Sequence, residues 1–254
     1  MRKTILLLML VASVNILQAA NTKFPDDKFR EGTELYTSGK YQEALEIWLS
    51  IYNSGFMSAN LNYNIGNAFF KINDIPHAIL FYERALLLKP ADEDINYNLQ
   101  VARTFVVDKF TEVPELFIVT WFNFISLLAG SNTWAVISII SFVLFLVLLS
   151  VYLFSSAHRL KVITFWCAVL LFIISGSSLS FSLRNKRLVT NSGKAIIVSP
   201  QVNGKSSPDI SGTDLFLIHE GTKVTVTDSV GNWYEIRLPD GNKGWVTSNS
   251  LEKI

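Results

Sequence analysis

The apolar residues of this chain are concentrated in a few blocks and are not spread evenly along it. Two of these blocks, residues 134–154 and 162–183, contain no Asp, Glu, Lys or Arg. A helix crosses the hydrocarbon core of a bilayer in about 20 apolar residues, so each block is long enough to span a membrane. Because only residues 155–161 connect them, we predict a two-helix transmembrane hairpin whose flanking segments lie on the same side of the membrane.

A shorter apolar run lies near the N-terminus. Residues 5–17 are largely apolar, follow the basic residues Arg2 and Lys3, and precede a pair of alanines. This layout is typical of a secretory signal peptide, which we predict at residues 1–20. The alternative is an uncleaved anchor, and both interpretations export the chain that follows.

A third apolar stretch, residues 116–129, is too short to cross a bilayer. It contains Trp121, Phe122 and Phe124, and aromatic side chains favour the boundary between lipid and water. We predict that residues 114–131 form an interfacial amphipathic segment that lies on or dips into the outer leaflet. The alternative is a helix buried by packing against the rest of the protein.

Residues 25–108 contain an internal repeat with a period of 34 residues. Small and aromatic positions recur at this spacing, as Gly32 and Gly66, Ala44 and Ala78, and Trp48 and Tyr82. Small residues are needed where two helices cross closely, and the aromatic side chains fill the adjacent space. The period and the pattern resemble tetratricopeptide (TPR) repeats. Residues 62–65 (NYNI) return as residues 96–99 (NYNL), which predicts a capping helix after two helix pairs.

The TPR resemblance implies a concave, peptide-holding surface formed by the first helix of each pair. Seven aromatic and polar side chains are expected to line it: Phe29, Thr33, Tyr63, Asn64, Asn67, Phe70 and Tyr97. In such grooves, side-chain amides bind an extended peptide backbone. The alternative is that the asparagines only connect adjacent helices and that the aromatic side chains only pack.

From residue 188 to residue 254, short β-rich runs alternate with turn signals. Five strands are predicted, at 194–198, 215–218, 223–227, 233–238 and 243–247, with turns at glycines that include Gly204, Gly231 and Gly241. Five strands in so short a segment make a small all-β barrel. The runs HEGTKV (219–224), GNWYEI (231–236) and GWV (244–246) resemble bacterial SH3-like domains.

The SH3-like resemblance implies a domain that binds peptides or cell-wall fragments. Three aromatic residues are the candidates for its ligand surface: Trp233, Tyr234 and Trp245. The alternative is that the two tryptophans are mainly core, because a barrel of this size needs large side chains to close its interior.

Composition and charge narrow the function further. Half of the residues are apolar and the mean hydropathy is +0.32, which fits a membrane protein. Lys and Arg total 22 and Asp and Glu total 21, so the basic excess needed for nucleic-acid binding is missing. Cys167 is the single cysteine, and the three histidines lie in three different regions, so we predict no metal site and no cofactor. We therefore expect a protein without enzymatic activity.

The order of these segments resembles the BatE family, the TPR-and-SH3 components of the Bat aerotolerance operons of Bacteroidetes. The expected fold class is a multidomain membrane protein with all-α TPR repeats, a two-helix transmembrane hairpin and a small all-β SH3-like barrel. The resemblance implies an inner-membrane adaptor in envelope or oxidative-stress tolerance, and the predicted export signal places both domains on the periplasmic side. Its implied partners are other Bat proteins with von Willebrand A domains. The alternative function is an envelope sensor whose SH3-like domain binds peptidoglycan.

Overall fold

The computed structural model describes residues 24–111 and 116–254. The predicted signal peptide at residues 1–20 and the first residues of the predicted interfacial segment lie outside these ranges. In the described parts, a helical domain is followed by three apolar helices and then by an antiparallel β domain.

Five helices form the N-terminal domain. They are α1 (Asp26–Thr37), α2 (Tyr41–Asn53), α3 (Ala59–Lys71), α4 (Ile75–Leu88) and α5 (Glu93–Thr104). The starts of α3 and α5 are fixed by side-chain caps, because Ser58 Oγ accepts a hydrogen bond from Leu61 N (3.1 Å) and Asp92 Oδ1 accepts one from Ile95 N (3.2 Å). Ser58 and Asp92 are 34 residues apart, so the sequence period also recurs in the helix boundaries.

Two glycines let the helices of this domain approach closely. A Cβ atom at Gly66 would lie 2.7 Å from the Tyr82 ring, and one at Gly32 would lie 2.5 Å from Trp48 Nε1. Trp48 and Tyr82 are each only 1% exposed. The recurring residues therefore make equivalent packing contacts, between α1 and α2 and again between α3 and α4.

Three apolar helices follow: α6 (Phe117–Ser126), α7 (Ser131–Phe154) and α8 (His158–Thr190). By length and composition, α7 and α8 are able to cross a membrane. Reciprocal serine bonds connect them: Ser138 Oγ donates to the Ser175 carbonyl (2.9 Å), and Ser175 Oγ donates to the Ser138 carbonyl (3.0 Å). Ser131 and Ser182 make the same pair of bonds, at 3.0 and 2.9 Å. These bonds fix the antiparallel register of the two helices.

Helix α8 extends beyond its predicted end at residue 183 because its polar C-terminal part holds α6. Asn185 Nδ2 donates to the carbonyls of Ser126 (2.8 Å) and Ala129 (3.0 Å). These carbonyls lie at and just beyond the end of α6, where no further turn of helix supplies a donor. The apolar side chains of α6 nevertheless stay exposed, with Phe117 at 80% and Trp121 at 64%. The exposed apolar surface of α6 therefore lies beside α8.

The C-terminal domain is one antiparallel sheet of seven strands. They are β1 (Lys194–Ile197), β2 (Gln201–Lys205), β3 (Asp214–His219), β4 (Lys223–Val230), β5 (Trp233–Arg237), β6 (Lys243–Thr247) and β7 (Leu251–Lys253), in the spatial order β3-β2-β6-β5-β4-β1-β7. Residues from both ends of this order, Ile218 of β3 and Leu251 of β7, share one buried cluster. The sheet is therefore rolled around a single core, and we call it the barrel.

The prediction of five strands was wrong, because β2 and β7 were missed. Gly204 was assigned to a turn but lies inside β2. A side chain at this position would collide with the Phe216 ring of the neighbouring strand β3, and the same ring also covers Gly244. Glycine is required at position 204 because the strands and the ring pack closely there. In the sequence, a glycine of this kind cannot be distinguished from a glycine in a turn.

Candidate binding surfaces

A cavity of about 290 Å³ opens on the helical domain where α1, α3, α4 and α5 meet. Aromatic and polar side chains form most of its wall: Tyr36, Tyr63, Asn67, Phe70, Lys71, Tyr82, Asn98 and Val101. We call this cavity the groove. It combines flat aromatic surfaces with two amide groups and a single lysine.

The amides of Asn67 and Asn98 are fixed by a short hydrogen-bond network. Tyr82 Oη donates to Asn67 Oδ1 (2.7 Å), and Asn98 Nδ2 donates to the same oxygen (2.9 Å) and to Tyr63 Oη (2.9 Å). Burial raises the pKa of Tyr82 well above its ordinary value, so its phenol stays protonated and remains a donor. The orientation of both amides is therefore determined by the protein.

This network uses only part of the hydrogen-bonding capacity of the two amides. Asn67 Oδ1 accepts twice, so Asn67 Nδ2 is left as a donor, and Asn98 Nδ2 donates twice, so Asn98 Oδ1 is left as an acceptor. One available donor and one available acceptor match the carbonyl and the N–H of a peptide backbone. The aromatic walls add surface on which apolar side chains can pack.

Three of the seven predicted groove residues line the cavity, namely Tyr63, Asn67 and Phe70. The other four are not brought to it. Phe29 packs on Phe24 and Trp48, and Thr33 Oγ1 donates to the Phe29 carbonyl (3.0 Å) within α1. Tyr97 is 68% exposed on α5, and Asn64 is half-buried beside the groove residues of α3 without lining the cavity.

Five lining residues were missed by the prediction: Tyr36, Lys71, Tyr82, Asn98 and Val101. The signal for Asn98 was available, because the NYNI segment of α3 recurs as NYNL in α5 and places Asn98 at the position equivalent to Asn64. Helix α5 was predicted as a capping helix that contributes Tyr97 to the groove, whereas it contributes Asn98 and Val101.

The three predicted barrel aromatics do not share a surface. Strands β5 and β6 pair Trp233 with Thr247, Tyr234 with Val246 and Glu235 with Trp245. Directly paired residues point to the same face, and neighbours in a strand point to opposite faces. Trp233 and Trp245 therefore lie diagonally on the outer face, both half-buried, whereas Tyr234 packs against the barrel core. Tyr234 is thus separated from the tryptophan pair by the sheet.

The barrel docks against the helical domain through a buried ionic contact. Glu83 of α4 is 8% exposed, and its two carboxylate oxygens lie 2.5 Å from Arg103 Nη2 and 2.6 Å from Lys223 Nζ. Burial by itself raises the pKa of Glu83, but the charges of Lys223 and Arg103 outweigh it and hold this pKa below its ordinary value. Glu83 is therefore ionised at neutral pH and connects α4, α5 and the barrel.

A second polar contact lies just beyond the end of α5. Asp108 accepts hydrogen bonds from the backbone N–H of His219 (2.7 Å) and from Thr222 Oγ1 (2.6 Å), and the His219 ring lies 2.9 Å away. Burial raises the pKa of Asp108, yet these bonds hold it below its ordinary value. Arg84 Nη2 adds a bond to the Lys253 carbonyl at 2.6 Å.

Apolar side chains complete the interface between the two domains. Successive side chains of β1 point to opposite faces of the strand. Ala195 and Ile197 face the barrel core, whereas Ile196 belongs to the buried cluster of the helical domain. Gly221 approaches Val106 and Ile79 so closely that a Cβ atom would lie 2.8 Å from Val106 Cγ2. The helical domain and the barrel thus share a continuous packed interface.

Comparison with known families identifies the C-terminal region. Residues 202–252 match the family described as bacterial SH3 domain, and this segment runs from β2 into β7. No curated protein matches the chain significantly. In residues 24–111 and 116–254, no group of three His, Cys, Asp or Glu side chains is placed to hold a metal ion. The C-terminal barrel is thus similar to bacterial SH3 domains, and this similarity is consistent with binding of proteins or peptidoglycan.

Proposed function

We propose that this protein is a non-enzymatic, membrane-anchored adaptor that holds an extended polypeptide segment of a partner in the groove. The observation that carries the proposal is the fixed amide pair of Asn67 and Asn98, which leaves one donor and one acceptor available beside aromatic walls. An extended backbone presents the complementary acceptor and donor in every residue. Contacts to backbone groups do not depend on the sequence of the bound segment. The specificity for a partner therefore depends on those of its side chains that contact Tyr63 and Phe70.

We propose further that α1 to α5 are two TPR repeats and a capping helix. The support is the 34-residue period together with the equivalent contacts of Gly32 with Trp48 and of Gly66 with Tyr82. In this assignment, the first helix of each pair and the capping helix contribute to the groove.

The proposed location is the inner membrane, with the helical domain and the barrel on the periplasmic side. Support comes from the length and apolar composition of α7 and α8, from their short connection, and from the signal-like N-terminal sequence. Residues 114–131 are proposed to lie in the adjacent leaflet, since the exposed aromatic side chains of α6 continue the apolar surface of α8. Reporter fusions after residues 158 and 254 test this topology, with the first expected in the cytoplasm and the second in the periplasm.

The proposed assembly is an envelope complex of the Bat aerotolerance type, in which the partners are Bat proteins with von Willebrand A domains. The order of segments in the chain supports this assignment. Affinity capture in mild detergent tests it, since von Willebrand A-domain proteins should be recovered with the wild type and lost when Asn67 and Asn98 are both changed to alanine. Equal recovery with both proteins would contradict it.

The groove itself is tested with a defined probe. Short random peptides displayed on phage are selected on the full-length protein in detergent, and the affinity of a selected peptide is measured by fluorescence anisotropy. Changing Asn67 and Asn98 together to alanine removes two backbone contacts of about 1 kcal/mol each, so binding should weaken about 30-fold. Changing Trp233 and Trp245 to alanine is the matched control and should leave this affinity unchanged.

A second function is favoured by the outer face of the barrel. The diagonal pair Trp233 and Trp245 offers an aromatic surface of the kind that packs on sugar rings or peptides. In this alternative the protein is an envelope sensor that binds peptidoglycan. Co-sedimentation of the full-length protein with purified peptidoglycan tests it, and loss of co-sedimentation in the Trp233→Ala, Trp245→Ala variant would support it.

A further inference from the structure

Helix α5 lines the groove on one side and is connected to the barrel on the other through Glu83 of α4. Asn98 and Val101 line the groove, whereas Arg103 lies 2.5 Å from Glu83, which also binds Lys223 of the barrel. The groove-lining residue Asn98 and Arg103, which contacts Glu83, are thus separated by less than two turns of one helix.

The barrel also fixes the chain directly after α5. Val106 packs under Gly221, and Asp108 is held by His219 and Thr222. No residue of the barrel lines the groove. Any influence of the barrel on the groove therefore has to pass through the helices that it contacts, which are α4 and, through Glu83 and the segment after Thr104, the end of α5.

Helix α5 is a wall of the groove that is buried along a narrow stripe only. It is the last helix of its domain, and its buried residues are only Ile95, Leu99 and Ala102. The remaining positions are exposed or half-buried, as in Tyr97 at 68%. A helix held by so narrow an apolar stripe gains much of its fixed position from contacts at its end.

We propose that the docked barrel is a positioning element for the groove. By holding the C-terminal end of α5 through Glu83 and Asp108, it keeps Asn98 within hydrogen-bonding distance of Asn67 and Tyr63. Barrel docking and polypeptide binding are then thermodynamically coupled, so each strengthens the other by the same factor. A partner that pulls the barrel away releases the bound segment. This inference rests on the proposed function of the groove.

The test compares Lys223→Met with Lys205→Met in the full-length protein in detergent. Lys223→Met removes the ionic contact with Glu83 and keeps the aliphatic stem, whereas Lys205 pairs with Asp214 inside the barrel and serves as the matched control. Affinity for a phage-selected peptide is measured by anisotropy, and hydrogen exchange is measured across residues 93–104. For Lys223→Met we expect about tenfold weaker binding and faster exchange in this segment, and for Lys205→Met no change in either.

The possible outcomes distinguish a failure of the coupling from a failure of the proposed groove function. Faster exchange with unchanged affinity would overturn the coupling and leave the groove function intact. If Lys223→Met fails to fold, Asp108→Asn weakens the second contact and is measured in the same way. Unchanged exchange in both variants would show that the barrel does not hold α5. If no selected peptide responds to the loss of Asn67 and Asn98, the proposed function fails, and this inference fails with it.

Discussion

The substitution Gly66→Ala tests the close helix contact on which the groove is built. A Cβ atom at this position would lie 2.7 Å from two Tyr82 ring atoms, whereas ordinary contacts begin near 3.4 Å. The ring is 1% exposed and is held by Asn67, so it has little freedom to move by the required ~0.7 Å.

The magnitude follows from two opposing effects. Overpacking a well-filled site costs about 1–3 kcal/mol, and replacing glycine by alanine within a helix gains about 1 kcal/mol. We therefore expect Gly66→Ala to lower the free energy of unfolding by up to about 2 kcal/mol. Because Tyr82 donates to Asn67, the displaced ring should also weaken binding of a selected peptide.

The matched control is Gly176→Ala in α8. This glycine is also helical, and no atom lies within 4 Å of the position that a Cβ would occupy. Here only the helix propensity acts, so stability should be unchanged or should rise by about 1 kcal/mol. Denaturant unfolding of the full-length protein in detergent, followed by far-UV circular dichroism, measures both variants. A Gly66→Ala protein no less stable than the Gly176→Ala protein would refute the packing argument.

Three further predictions concern other parts of the molecule. The hydrogen bonds of His77 to Asp74 and Glu252 raise its pKa to about 9 despite burial, so its stabilising contribution is complete below pH 6.5 and is lost as the pH rises through 9. After allowance for screening at this half-exposed site, the wild type should be more stable than His77→Gln by about 1–2 kcal/mol at pH 6 and by much less at pH 9.5. The same stability difference between the two proteins at both pH values would contradict this prediction. Changing Ser138 to alanine should cost about 1 kcal/mol in bilayer unfolding assays, since it removes the hydrogen bond from Ser138 Oγ to the Ser175 carbonyl and leaves the bond that Ser175 Oγ donates to the backbone of residue 138. Gly204→Val should prevent barrel folding, because the side chain would occupy the space of the Phe216 ring, and a native near-ultraviolet spectrum would count against it.

The helical contacts could be anticipated because they repeat. Gly32 precedes Trp48 by the same interval by which Gly66 precedes Tyr82. The repeat therefore indicates which glycine packs against which aromatic residue. Helix α8 was harder to delimit. Its polar end after residue 183 carries no hydropathy signal and stays helical because Asn185 binds the end of α6.

The errors in the barrel have identifiable causes. Gly204 produces the same signal in a strand beside an aromatic ring as in a turn, so composition alone could not distinguish them. The grouping of Tyr234 with Trp233 was avoidable, since adjacent residues of a strand point to opposite faces.

The contacts between the domains could not be read from the sequence. Glu83 and Lys223 are separated by 140 positions, and neither lies in a motif. Ile196 belongs to an apolar run that is equally consistent with burial in the barrel alone. Long-range pairs of this kind are determined by tertiary packing and have no local pattern.

The most direct test of the central claim is to locate a bound polypeptide on the protein. A photo-crosslinking amino acid is introduced in place of Phe70 in the groove, or in place of Val230, which is 51% exposed on the barrel, and a labelled phage-selected peptide is added. We predict that the peptide forms an adduct from position 70 and not from position 230, and that the adduct is lost when Asn67 and Asn98 are changed to alanine. An adduct at position 230 alone, or one at position 70 that is insensitive to the two asparagines, would contradict the account.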